Sequence, residues 1–548
     1  MWVYFFMKIP LWADIAICKD GEEVSVRTIS GEVIASSRDH SEAVSKAFEV
    51  LKDMRGGVMV FRSGEYRLQE IPLYSNIHVV GVGVVKITLP STHAKCVFRA
   101  GDGRVSNVEI RSIKLHGGSS EATAISFENA EYTEKIVLDN IYVEDFKCGF
   151  KDAMSSYDLT IQNSKFTGCE IGVYVKSKHI RVVNSEFSNC SIGLSGSVQR
   201  GRVVYSTFMR NKSGVRRFNG GSISNILFYN CSFHDNSDLS VELDEGSLLV
   251  NSQITASTSC VRAVIALGKN VIEGNVIGPG DYSDVVIDVV GRDVSISNNI
   301  FHDIKVGSAV LRINGENTLV LGNKFHNIQG VVVLLTGRLS YPAITTNHFN
   351  DVEGSIISVN YEVRAPLIAL NQIRLTREAQ VLVHSANAAS YFPTILGNSV
   401  YVETSQSKPL LHLNLKAPGL MFTGNIFRAM AWKGVTTTIL SGDLRGGLIE
   451  NNVFSDVTVL SDNVLVDENT KIKNNYGYTT EKSGVVLLPA NSNRVRVLHG
   501  LVKKPVKIIL TPQSNIRVWV ENITEKSFDI VAETPPASNI FISWYAEL

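Results

Sequence analysis

The stretch Leu319-Val320-Leu321-Gly322-Asn323-Lys324-Phe325 returns 24 residues later as Ala343-Ile344-Thr345-Thr346-Asn347-His348-Phe349, and 24 residues after that as Leu367-Ile368-Ala369-Leu370-Asn371-Gln372-Ile373. Followed outward, its last residue becomes a ladder of thirteen: Phe166, Phe187, Phe208, Phe233, Ile254, Ile277, Phe301, Phe325, Phe349, Ile373, Val400, Phe427 and Phe454, at steps of 21 to 27 residues. Five residues before each stands a second apolar ladder: Ile161, Val182, Val203, Phe228, Leu249, Ile272, Ile296, Val320, Ile344, Ile368, Ile395, Phe422 and Ile449. A fixed period of this size marks a unit that cannot bury its own apolar face and stacks on its neighbours to make a core.

Each unit reads as strand. Leu159-Thr160-Ile161, Val294-Ser295-Ile296 and Leu319-Val320-Leu321 alternate and are broken by Asn, Gly and Ser. Asparagine stands three residues before the ladder residue in Asn163, Asn184, Asn230 and Asn251. It stands two before in Asn275, Asn299, Asn323, Asn347, Asn371, Asn398, Asn425 and Asn452, as if the corner moved one place. Asn tolerates a left-handed corner, and stacked amides can bond from coil to coil. Pro342, Pro366 and Pro393 each fall two residues before an inward Ile, where a strand can spare its N–H. Repeated coils of several short strands, about 4.8 Å apart, make a parallel β-helix. The fold class expected is therefore all-β, a single-stranded right-handed parallel β-helix.

On these ladders the chain, over residues 41–475, resembles the right-handed, pectate-lyase-like β-helix superfamily. The front end is similar too. The segment from Gly56-Gly57-Val58 to Tyr74-Ser75-Asn76-Ile77 resembles the opening of pectate-lyase-like and tailspike proteins, where a short helix covers the open end of the core. Ser41 with Ala43, Val44, Ala47, Phe48 and Leu51 gives that capped amphipathic helix here. Residues 1–17 are apolar but interrupted by Lys8 and Asp14, so they read as a docking strand rather than a signal peptide.

The repeat ends after Asn475. Six short strands follow, at residues 485–488, 494–498, 506–510, 516–520, 528–532 and 540–544, which suggest a small antiparallel β-sandwich with Trp519, Phe528 and Trp544 in its core. The pattern from Leu498-His499-Gly500-Leu501 to Ser543-Trp544-Tyr545-Ala546 resembles domains at the ends of viral fibres and the H-type lectin sandwich. That resemblance implies sugar binding or a homotrimer. The expected domains are a docking segment (1–40), the β-helix (41–478) and the C-terminal sandwich (479–548).

Lys plus Arg and Asp plus Glu are each 53, so whole-chain charge favours neither nucleic acid nor a membrane surface as partner. No apolar run reaches the length of a membrane span. The seven cysteines include no Cys-x-x-Cys pair, so neither metal nor cofactor is expected, and Cys169 and Cys190, stacked in successive coils, read as buried thiols.

For chemistry, the signature set of the pectin-cutting enzymes is absent: the chain has neither an Asp-Asp pair nor a Gly-His-Gly. The best acid cluster is Asp235, Asp238, Glu242, Asp244 and Glu245, with Asp281, Asp284 and Asp288 two coils on. Counted from the ladder, Asp288 shares a column with Asp244, roughly 9.6 Å away at two strand spacings, near the upper limit for an inverting glycosidase pair. The catalytic candidates are Glu242, Asp244 and Asp288. Against them, Arg262 falls in the intervening coil at or next to the column of Glu242, where it would pair with Glu242 on the surface. A basic set, Arg200, Arg202, Arg210, Lys212, Arg216 and Arg217, runs upstream. Tyr282, Tyr341, Tyr361, Tyr391, Phe392 and Tyr401 fall in or beside corners, and Trp432 in a corner of a 27-residue coil. For carbohydrate the candidates are Tyr282, Tyr391, Trp432, Arg216 and Arg217.

Three functions stay open. The leading one is a non-enzymatic extracellular or virion-surface β-helix, tailspike- or fibre-like, that recognises a surface polysaccharide in host attachment. The others are a polysaccharide-degrading hydrolase or lyase, and a structural shell or surface-layer component.

Overall fold

The computed structural model describes residues 13–90, 94–118, 121–152, 155–217, 221–385, 388–414, 419–430, 434–461 and 464–548. It is an all-β parallel solenoid with a single α-helix among the described residues. The chain divides into two compact units, Met1–Leu319 and Val320–Leu548.

In the first unit, Ile15–Asp20, Glu23–Thr28 and Val33–Ser37 form an antiparallel meander. Its first strand runs parallel to Gly57–Arg67, with Ile15 opposite Met59 and Ile17 opposite Phe61, while residues 1–12 of the expected docking segment lie outside the described residues. The helix His40–Asp53 buries Ala43, Val44, Ala47, Phe48 and Leu51. Its cap is Asp39, not Ser41. The Asp39 carboxylate accepts from the N–H groups of Ser41 and Glu42 at 2.9 and 3.2 Å, satisfying donors that a helix start leaves orphaned.

Both ladders exist in this unit. Phe166, Phe187, Phe208, Phe233, Ile254, Ile277 and Phe301 pair in register, as do Ile161, Val182, Val203, Phe228, Leu249, Ile272 and Ile296. All are fully buried. Phe166, Phe187, Phe208 and Phe233 stack with centroids 5.4, 4.8 and 5.1 Å apart and planes within 10°. Offset parallel rings at coil spacing combine apolar burial with favourable ring packing.

The second unit repeats the scheme. Ile344, Ile368, Ile395, Phe422 and Ile449 align, and so do Phe325, Phe349, Ile373, Val400, Phe427 and Phe454. Beside them Asn347, Asn371, Asn398, Asn425 and Asn452 are buried, and each Nδ2 donates to the next amide oxygen at 2.9–3.1 Å, ending on Asn475.

The structure separates two asparagine positions that the sequence reading merged. The corner three residues before the Phe ladder does not move. Asn163, Asn184, Asn230 and Asn251 hold it with φ of 47–51°, and Gly274, Asn298, Gly397 and Asn451 hold it in later coils. The buried amide ladder is the next residue along. In earlier coils serine fills that place: Ser164 N–H donates to Ser185 Oγ, Ser185 N–H to Ser206 Oγ, and Ser252 N–H to Asn275 Oδ1.

At the end of the second unit, Glu481–Leu488, Ile540–Glu547 and Lys507–Pro512 form one antiparallel sheet, and Arg494–Leu498, Ser527–Ala532 and Val518–Glu521 another. Leu488, Val497, Phe528, Ile530, Ile542 and Trp544 share one buried cluster. Trp519 is not in it: its ring is 41% exposed and its Nε1 donates to Glu521 at 2.9 Å. Strand parity turns Trp519 outward and leaves Val518 and Val520 to pack on the cluster.

Candidate functional site

The acids expected to do chemistry lie on one strand face of the first unit. In Leu239–Leu243, residues 239, 241 and 243 point inward, so Glu242 points out. The registers place Glu242, Ile265, Asp288 and Arg312 in one column. Asp244 is outside it, which corrects the expected pairing with Asp288. Eight residues separate Phe233 from Val241 but ten separate Ile254 from Val264, the extra two lying where the pairing shifts between Ala256 and Arg262. Asp244 sits in the turn after its strand, accepting from the Glu245 N–H at 2.9 Å.

Every carboxylate of the column faces a guanidinium. Arg217 Nε lies 2.8 Å from Glu242 Oε1, and the Arg217 backbone N–H donates to Oε2 at 3.2 Å. Arg216 Nη1 is 2.9 Å from Asp238. Arg312 reaches two acids: Nε and Nη2 to Asp288 at 3.0 and 2.5 Å, and Nη1 to Asp284 at 2.9 Å. Arg262 aligns with Leu239 and Val285 rather than with Glu242, and turns to Asp284 at 3.1 Å and Asp288 at 3.7 Å. Glu242 and Asp288 are each only 6% exposed. Burial pushes the Glu242 carboxyl above its usual range, with Arg217 pulling the other way, while hydrogen bonding to Asp288 raises the Arg312 guanidinium further. The face is a closed, mutually neutralising network. Upstream, Lys178, His179, Gln199, Arg200, Ser224 and Asn225 line an open depression of ≈ 480 Å³.

Tyr282, expected in an exposed corner, is buried at 2%. Its strand, Val276–Val289, runs on through the corner, and alternation puts Tyr282 inward in line with Cys260 and Val306. Tyr391 is half-buried, its ring facing the exposed Arg364 guanidinium at 5.8 Å. Arg216 and Arg217 are exposed at the edge of the network above. Trp432 lies outside the described residues. Tyr341, Tyr361, Phe392 and Tyr401, all in the second unit, project into solvent.

The sequence reading missed one buried pair. His384 Nε2 and Ser390 Oγ are 2.7 Å apart, a spacing that suggests an activated nucleophile. The wiring opposes it. His384 Nδ1 accepts the backbone N–H of Asn414 at 3.0 Å, so the neutral ring carries its proton on Nε2 and donates to Ser390 instead of taking its proton. Burial pushes His384 down to about 4, and His384 and Ser390 are only 3% and 2% exposed. The seven cysteines are free thiols. Among the described residues no three His, Cys, Asp or Glu side chains are grouped to hold a metal ion, and no helix is long and apolar enough to cross a membrane.

No curated protein matches the chain. Similar solved structures include the A-module of mannuronan C-5 epimerase AlgE6 from Azotobacter vinelandii, with 14% identity over 79% of this chain and 96% of that one, at a TM-score of 0.26. The tailspike protein of E. coli bacteriophage HK620 in complex with pentasaccharide has 11% identity over 95% and 92%, at 0.31. A mannuronic acid specific polysaccharide family 6 lyase from human gut microbiota has 12% over 71% and 86%, at 0.34. At such identities and scores these likenesses bear on no question of activity. Residues 196–349 match the family model described as right handed beta helix region, which speaks to the fold of that stretch.

Proposed function

We propose that this protein is a glycan-recognising β-solenoid of an extracellular or virion surface, binding polysaccharide without cutting it. The observation that carries the reading is the set of aromatic rings that the second unit holds out from a rigid coil: Tyr341 and Phe392 are 65% and 56% exposed, with Tyr361 and Tyr401 also in solvent. Sugars bind to such rings through their apolar C–H faces. The acids of the first unit supply the complementary argument, since Asp284 and Asp288 are each held by two arginines and Glu242 by Arg217 and its backbone N–H, which takes up the lone pairs that acid–base work requires. In this reading the chain comprises a docking segment (1–40), a β-helix (41–478) and a C-terminal sandwich (479–548) that holds three copies together.

The experiment incubates the full chain with purified surface polysaccharides and follows both bound fraction and product mass. Binding without products supports the reading; shortened products overturn it in favour of an enzyme. One observation favours that second reading. Glu242, whose carboxyl burial pushes upward, and Asp288 stand two coils apart in one column, roughly 9.6 Å, near the upper limit of the separation at which inverting glycosidases hold their two carboxyl groups. Products lost in both Glu242→Gln and Asp288→Asn would establish it.

A further inference from the structure

Three residues before ten of the thirteen inward residues of the Ile161-type ladder, all but Val182, Val203 and Ile272, the chain turns a left-handed corner. In the first unit that place is taken by Asp158, Asn225, Gly246, Asp293 and Asn317, with φ between 52° and 72°, and one coil before Asp158 by Lys135 at 55°. Asp, Asn and Gly are the residue types that adopt such a backbone most readily. In the second unit the same coil place holds Tyr341, Ala365, Phe392 and Gly419, with φ of 58°, 44°, 52° and 128°, before Gly446 returns to the first unit's kind of corner at 68°. Bulky side chains in this conformation are outliers, and outliers of this kind gather at ligand sites.

The four form one column. Ser340, Arg364 and Tyr391 pair just before the corner, and Ala343, Leu367, Thr394 and Met421 pair just after it. Large and small alternate along it. Gly419 is what lets the Phe392 ring lie flat on the surface: a Cβ there would fall 2.5 Å from Phe392 Cδ1. The exposed rings Tyr341 and Phe392 therefore stand two coils apart, about 10 Å by strand spacing. In the coil between them the exposed Arg364 holds its guanidinium against the Tyr391 ring.

We infer that this corner is a saccharide platform. Two pyranose rings of an extended hexose chain running along the solenoid stack their C–H faces on Tyr341 and Phe392, and Arg364 donates to a hydroxyl pair or carboxylate between them. The inference rests on the glycan reading above and assigns it a place.

The test measures binding of the full chain to immobilised cello-, malto-, manno- and uronic-acid hexasaccharides, comparing the parent with Tyr341→Ala/Phe392→Ala, Arg364→Ala and, as a control at an exposed ring of the first unit, Tyr205→Ala. Melting curves and light scattering are taken on each. The double variant should melt like the parent and bind on the order of tenfold more weakly or worse, since each ring contributes a stacking contact, while Tyr205→Ala stays near the parent. Equal binding by parent and double variant overturns the platform but leaves the glycan reading standing. A parent that binds no sugar overturns both. A double variant that changes its mass in light scattering with sugar binding intact shows the corner to be a contact between copies, and overturns the platform.

Discussion

On the strand face of the first unit, Arg312 grips Asp284 and Asp288 while Arg217 grips Glu242, so each charge is answered by a neighbour within the fold. At the corner of the second unit, Tyr341 and Phe392 take a backbone conformation unfavourable to them and leave their rings in solvent. The first arrangement accounts for its residues without any ligand. The second does not: among the described residues no side-chain hydrogen bond or ring contact holds Tyr341 or Phe392, whereas the left-handed aromatic of the first unit, Tyr205 at φ 52°, stands edge-on to Tyr229 at 6.1 Å. Dense charge is thus a weaker sign of function here than an unanswered local cost.

The sharpest way to break this comparison is to attack the frame on which both surfaces rest. Phe187→Asp in the first unit or Phe349→Asp in the second places a charge in a dry stack of rings at a cost of several kcal/mol. Neither variant should fold, and a soluble, cooperatively melting product of either would mean that the ladders do not set the register.

A pH titration probes the second unit further. His384 falls from its ordinary 6.5 to about 4 because it is buried. Between those values the unfolded chain binds a proton that the folded chain refuses, so stability is full above pH 6.5 and declines as pH drops, by roughly 3 kcal/mol at pH 4. Denaturant melts of the parent and of His384→Gln should diverge in slope against pH over that window. Identical slopes would show that the ring is not held neutral.

Asp288→Asn bears on the other side of the comparison. Removing one partner leaves Arg312 and Arg262 half-buried and underpaired, so the variant should lose about 2 kcal/mol, less than a fully buried pair would cost. A stable Asp288→Asn that loses a cleavage activity of the parent would invert the comparison, making the acids the site.

The sequence made the core legible because burial enforces it. Phe166 through Phe233 must face inward in every coil, and period two within the strand plus a coil of 21 to 27 residues left one register. Nothing enforces corner length in the same way. Two extra residues after Ile254 moved Asp288 from the column of Asp244 to that of Glu242, and the strand that runs through its corner carried Tyr282 inside. The C-terminal strands were legible as alternation, yet parity alone could not tell that Trp519 faces solvent while Trp544 faces the cluster. The aromatic corner was visible as Tyr341-Pro342 and Phe392-Pro393, but its strain was not, since φ is written only in the backbone.

The most direct test of the central claim is the unfolding free energy of Tyr341→Asn/Phe392→Asn, which gives the second unit the corner residue that the first unit uses at Asn225 and Asn317. If the rings are held against the preference of the backbone for use at the surface, the variant should be more stable than the parent, by about 1 kcal/mol per site, while losing sugar binding. A variant less stable than the parent by a similar amount would show that the rings serve the packing of the coil, and would contradict the account.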